Sequence, residues 1–185
     1  MSELQDKFEI LDQIGSGGFS SVYKVESKAD RKIYALKILD IENAETSEND
    51  TQDFDSNSKE YKDFLKEVEI LKKLNSPNVV KVFDSMLLNG KPCIVMEYIQ
   101  GNTLETILKE RHILTKDEIL DITKQLSAAL MHCHNFQYNN EQIGYKSETQ
   151  IITENAIIHN DIHPKNIIRR ENADGTFNYV LIDFG

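Results

Sequence analysis

Apolar positions between Phe8 and Ile38 come in short runs broken by glycine and polar residues: Phe8-Glu9-Ile10-Leu11, Val22-Tyr23-Lys24-Val25 and Ile33-Tyr34-Ala35-Leu36-Lys37-Ile38. Runs of β-branched and aromatic residues at this spacing predict three antiparallel strands. The period then changes. Tyr61, Phe64, Leu65, Val68, Leu71 and Leu74 recur every three or four residues, which predicts an amphipathic helix ended by Asn75-Ser76-Pro77-Asn78. Val79 to Phe83 and Cys93 to Tyr98 read as two more strands joined through Asn89-Gly90, a pair suited to a two-residue hairpin turn. Thr103 to Lys109 predicts a short helix. Thr115-Lys116-Asp117-Glu118 is a capping box that opens a longer one, with Leu114 and Ile119 placed as its hydrophobic staple and Ile119, Ile122, Leu126, Ala129 and Leu130 as its buried face. Two apolar runs, Ile157-Ile158-His159 and Ile167-Ile168, flank a polar loop, and Tyr179-Val180-Leu181-Ile182 follows a turn at Asn172-Ala173-Asp174-Gly175.

Composition sharpens this picture without changing it. A chain of 185 residues with 39% hydrophobic and 28% charged residues is sized for one globular unit and is not a disordered polymer. The net charge of −10 argues against nucleic acid or an anionic membrane as the main partner. Seven acidic residues and no Lys or Arg fall in segment 40–58, so most of that charge belongs to one polar loop. A second polar stretch, 135–155, is rich in Asn and Gln and has no clear period. Two cysteines, Cys93 and Cys133, support neither a disulfide framework nor a zinc site. With no apolar run of membrane-spanning length and no signal-like start, the expected location is cytoplasmic.

Three groups of residues carry chemistry. Gly15, Gly17 and Gly18 lie in a turn between two predicted strands, where absent Cβ atoms let backbone N–H groups approach phosphate oxygens. Lys37 lies in an interior strand, where its ammonium needs either solvent or an anionic partner, and Glu67 beside the apolar helix face is a candidate. Asp161 and Asn166, five residues apart, with Asp183 at a strand end, offer hard oxygen ligands suited to Mg²⁺, and one Asp could accept a proton from a hydroxyl.

In this order, Gly15-Ser16-Gly17-Gly18-Phe19-Ser20-Ser21-Val22, Tyr34-Ala35-Leu36-Lys37, Glu67, His159-x-Asp161-x-x-x-x-Asn166 and Asp183-Phe184-Gly185 resemble the signature set of eukaryotic-type protein kinases. The resemblance runs from about Phe8 to the last residue. It implies an α+β, protein kinase-like bilobal fold: an N-lobe over 8–96 with a five-stranded antiparallel sheet and one helix, then a hinge and a truncated, mainly helical C-lobe over 97–185. It also implies the ligands ATP and Mg²⁺ and a protein serine/threonine hydroxyl as acceptor. By resemblance, Gly15, Ser16, Gly17 and Gly18 cover the phosphates, and Lys37, held by Glu67, pairs with them. Val22, Ala35 and Ile168 line the adenine pocket, Met96 is the gatekeeper, and the backbones of Glu97 and Ile99 form the hinge. Asp161 is the catalytic base, and Asn166 and Asp183 are the metal ligands.

The sequence departs from the family at several positions. Ser20 replaces the third glycine of the loop, Asn160 the usual Arg before the base, and His163 the usual Lys two residues after it. An imidazole carries only part of a positive charge near neutral pH, so the expectation is weaker transition-state stabilisation from His163. The His-x-Asp-x-His loop is also similar to small-molecule kinases of the aminoglycoside and choline phosphotransferase group, which supplies one alternative. A non-catalytic, pseudokinase-like nucleotide-binding module supplies another. With Asp183-Phe184-Gly185 as the final residues, the chain alone is expected to show weak or absent turnover and to need a partner over the uncovered part of the C-lobe.

Overall fold

The computed structural model describes residues 3–18, 20–39, 59–135 and 157–184, so the acidic segment 40–58 and nearly all of the polar stretch 135–155 lie outside the described residues. The described chain forms two compact units, Met1–Lys73 with Lys81–Tyr98, and Leu74–Val80 with Ile99–Gly185.

The first unit opens on a five-residue helix, α1 (Glu3–Lys7), followed by strands β1 (Phe8–Ser16), β2 (Ser20–Ser27) and β3 (Ile33–Leu39). Helix α2 (Lys59–Leu71) comes next, then β4 (Val82–Leu88) and β5 (Lys91–Glu97). The five strands make one antiparallel sheet in the order β1-β2-β3-β5-β4, which places β3 at its centre. The β4–β5 turn is Asn89-Gly90, with φ of 52° and 74°. Both residues are left-handed, as a two-residue turn matching strand twist requires. Because side chains alternate, the register sorts the sheet into two faces. Phe8, Val25, Leu36, Cys93 and Val95 share one face and form the core of this unit with Leu88. Helix α2 buries Tyr61, Val68 and Leu71, the stripe its period predicts. Leu74, read from the sequence as the end of that stripe, is buried with the second unit instead, because the helix stops at Leu71.

The second unit contains β6 (Asn102–Thr103), α3 (Leu104–Arg111), α4 (Lys116–His134), a short 3-10 turn (Pro164–Asn166), β7 (Ile167–Glu171) and β8 (Phe177–Leu181). The three strands pair antiparallel in the order β6-β7-β8. Thr103 caps α3 by accepting from the Thr106 N–H, and Thr115 and Glu118 form the predicted capping box on α4. Leu104, Ile107, Ile122, Ile167, Tyr179 and Leu181 make the core, with Leu126, Leu130, Phe177 and Phe184 against it. Full burial of a side chain such as Ile107 or Leu181 contributes about 1.5–3 kcal/mol. One sequence expectation is corrected here. Ile119 is 50% exposed, because it sits in the first turn of α4 at the edge of a stripe centred on Ile122, Ala129 and Cys133. Burial also pushes the Cys133 thiol up to about 11, so it stays protonated and inert.

Residues 74–80 join this unit through a polar network. Asn78 is 8% exposed, and its Nδ2 donates to Gln125 Oε1 (2.6 Å) and to the Tyr179 carbonyl (3.0 Å). Gln125 in turn accepts from the Tyr179 N–H at 3.0 Å and donates to the Phe177 carbonyl at 2.9 Å. Removing one partner from a buried network leaves the others unsatisfied, at about 1–3 kcal/mol. Asn78→Ala is therefore expected to lower stability by that amount in urea denaturation, and an unchanged midpoint would remove the network from this account.

Candidate active site

Ten of the fifteen sequence-predicted site residues lie in the first unit. Gly15 lies opposite Val22 and Ser16 closes β1 opposite Ser21, after which the Gly17 N–H donates to the Ser20 carbonyl at 2.8 Å. A Cβ added at Gly18 would meet nothing within 4 Å, so the space around the turn is open to an approaching group. Lys37 lies on the central strand, opposite Val22 on one side and Ile94 on the other. Ala35 is two residues before Lys37 and opposite Met96. The register therefore puts Val22, Ala35, Lys37 and Met96 on one face of the sheet, opposite the face that holds the core. Glu97 ends β5, and its N–H donates to the Lys81 carbonyl at 2.8 Å. One residue is not brought in. Glu67 is exposed on α2, and no ion pair joins it to Lys37 among the described residues. The helix buries Val68, the next residue, while Glu67 itself stays exposed.

The second unit holds the rest. His159 is 2% exposed. Its Nε2 lies 2.8 Å from the Ile182 carbonyl, its Nδ1 accepts from the Asp161 N–H at 3.3 Å, and its ring packs on Phe184 with centroids 4.6 Å apart. A carbonyl only accepts, so the ring proton sits on Nε2. The Ile182 N–H donates to the Asn166 carbonyl at 2.9 Å, which ties the loop's end to the residue before Asp183. Asn166 is 7% exposed, and its Nδ2 donates to the Asp161 carbonyl and to Asp161 Oδ2, both at 3.0 Å. His163 Nε2 meets the same Oδ2 at 3.2 Å. Asp161 itself is 57% exposed at the side chain, and Oδ1 is the oxygen that neither donor takes. Asn160 (φ 62°) and Asp183 (φ 62°) both occupy the left-handed region. Asn and Asp tolerate that region better than most residues, which gives Asn160 a backbone reason at a position where Arg is usual.

Around Ile168, sequence reasoning missed Gly101. A Cβ there would lie 2.1 Å from the Arg169 carbonyl oxygen and 3.2 Å from Ile168 Cγ2, so only glycine lets the chain after Ile99 pass β7. The signal was a lone glycine after an apolar run, which by itself reads as an ordinary turn. Nearby, Lys165 Nζ lies 3.9 Å from Glu105, whose other oxygen is bound by Lys109 at 2.8 Å. The Lys109 ammonium is the main cause that holds the Glu105 carboxyl below its ordinary value. No helix among the described residues is long and apolar enough to cross a membrane.

Comparison with known proteins places the chain in a family. The family profile of the protein kinase domain matches residues 8–185. The chain is 30% identical over 168 residues to a probable serine/threonine-protein kinase of Clostridium perfringens, covering 91% of this chain and 20% of that protein. It is 28% identical over 191 residues to serine/threonine-protein kinase Nek2 of Homo sapiens, covering 100% of this chain and 36% of that protein. The crystal structure of the PknI kinase domain of Mycobacterium tuberculosis shares the fold, with a TM-score of 0.64 at 22% identity over 96% of this chain and 59% of that one. The chain thus spans about a fifth to a third of the length of these curated relatives. It belongs to the protein kinase domain family, and its fold is kinase-like, with a five-stranded antiparallel first unit.

The close passage at Gly101 yields a stability test. Gly101→Ala must displace the β7 backbone, and overpacking of this kind costs about 1–3 kcal/mol. A clear drop in melting temperature is expected, and an unshifted melting curve would contradict the close approach.

Proposed function

We propose that this chain transfers the γ-phosphoryl group of ATP to a serine or threonine hydroxyl of a protein. The observation that carries the reading is the second unit's loop, where Asp161 is held by one carboxylate oxygen and offers the other, while Asp183 follows the residue pinned to the same loop. In the proposed step the acceptor hydroxyl gives its proton to Asp161 Oδ1 and its oxygen bonds the γ-phosphorus. The bond from that phosphorus to the β–γ bridging oxygen breaks, and its electron pair leaves with ADP. Such a reaction needs positioning and charge neutralisation more than covalent chemistry.

The first unit supplies the remaining contacts of this reading. Lys37 would neutralise the α- and β-phosphates, and the turn from Gly15 to Gly18 would offer them backbone N–H groups. Val22, Ala35 and Met96 would give adenine apolar contacts, with the backbone of Glu97 along its polar edge. Glu67 would pair with Lys37 once nucleotide is bound. Asn166 and Asp183 fit Mg²⁺ chemically, because both supply hard oxygens, and the amide nitrogen of Asn166 is engaged by Asp161, which turns its Oδ1 away. Bound by these two residues, Mg²⁺ would supply positive charge to the phosphate oxygens.

Loss of a general base lowers turnover by about 10²- to 10⁴-fold. Asp161→Asn is expected to lower phosphate transfer to a Ser/Thr peptide library by that factor while ATP still raises the melting temperature. An undiminished rate would remove Asp161 from the role. Labelled phosphate appearing on choline or an aminoglycoside, and not on peptide, would replace the protein-kinase reading with a small-molecule one.

A further inference from the structure

His163 stands where the sequence suggests a partial replacement for a lysine's charge, yet its contacts describe another task. Its Nδ1 accepts from the Lys165 N–H at 3.2 Å, as the N-cap of the 3-10 turn Pro164–Asn166. A nitrogen that accepts carries no proton, so the ring proton is on Nε2, 3.2 Å from Asp161 Oδ2. The backbone thereby selects the tautomer, and the tautomer makes the ring a donor aimed at the carboxylate. The second donor on Oδ2 is Asn166 Nδ2 at 3.0 Å, anchored by burial. Two donors converging on one oxygen fix the plane of a side chain that is otherwise 57% exposed, and they leave Oδ1 on the outer side. The nearest full positive charge in this loop, Lys165, faces Glu105 at 3.9 Å.

Resting on the phosphotransfer reading above, we propose that His163 is a positioning residue: its backbone-selected Nε2–H holds Asp161 Oδ2, so that Oδ1 faces the acceptor hydroxyl. Its contribution is the N–H bond and not positive charge supplied to the phosphates. A base displaced by about 1 Å from its productive geometry loses on the order of 10²-fold in rate.

The two ring nitrogens are mimicked separately by two amides, which makes the idea testable. Gln at 163 reaches as far as Nε2 and restores a donor to Asp161, whereas Asn reaches only as far as Nδ1 and restores the cap. With transfer from ATP to a Ser/Thr peptide measured, His163→Ala is expected to lower kcat by about 10- to 10²-fold with little change in the KM for ATP. His163→Gln is expected to recover most of that loss and His163→Asn little of it. Recovery by Asn would show that only the cap matters, and recovery by neither would show that charge or the ring matters; either result overturns the proposal. A second measurement is independent of turnover. Nitrogen-15 NMR of the labelled imidazoles is expected to show His163 protonated on Nε2, with that resonance moving in Asp161→Ala. An Nδ1–H tautomer, or an Nε2 resonance indifferent to Asp161→Ala, overturns the proposal. Absence of transfer to any hydroxyl acceptor by the unsubstituted chain would instead defeat the proposed function, and the ring measurement alone would then decide the contact.

Discussion

The chemistry of the second unit depends on one buried imidazole. His159 is closed off from solvent with both nitrogens engaged, one by the Ile182 carbonyl and one by the Asp161 N–H. Each such bond contributes about 0.5–1.5 kcal/mol net, so together they do not hold the fold. What they hold is geometry. The loop that carries Asp161 and Asn166 has little regular structure beyond a three-residue turn, and without anchors its exposed side chains would sample many rotamers. His159 ties its start to the strand end at Ile182, and the Asn166 carbonyl ties its finish to the same residue through the Ile182 N–H. Asp183 follows directly, at a positive φ that only a constrained backbone keeps. The three residues proposed for base and metal binding therefore share one anchor residue, itself continuous with β8 in the core.

The first unit solves a different problem with register alone. A central strand has two faces and two neighbours, and alternation sends Leu36 into the core while Ala35 and Lys37 go to the other side. Val22 and Met96 follow because they lie opposite these residues. A one-residue slip in β3 would exchange the two sets, so burial of Leu36 fixes where Lys37 points. In this sheet the placement of the proposed nucleotide-binding side chains and the stability of the unit are the same constraint.

Much of this was legible beforehand, for physical reasons that differ by element. The β4–β5 hairpin was readable because Asn89-Gly90 is among few pairs that accept two positive φ values, and the start of α4 because Thr115 and Glu118 satisfy each other's backbone. Lys37, Asp161, Asn166 and Asp183 become candidates through ordered spacing, which local propensity does not supply. The misses share another trait, since each depends on a contact distant in sequence. Asn78 reads as a turn residue, yet it is a buried strut to Gln125 and Tyr179. Gly101 reads as punctuation, yet it is a clearance for Arg169. Ile119 fits the helical period, yet it projects from the first turn. For His163 the residue type suggests charge, and the donor role proposed above rests on the direction of its two nitrogens.

That Ile182 anchors both ends of this loop, with His159 holding its start, is tested most directly by amide hydrogen exchange in His159→Phe, which keeps a ring beside Phe184 and removes both side-chain hydrogen bonds. The Asp161 amide, left with only the His159 carbonyl at 2.9 Å, and the Ile182 amide, which donates to the Asn166 carbonyl, are expected to lose protection together while β7 and the core of α4 keep theirs. Unchanged exchange at both amides, with the substituted protein folded, would contradict it.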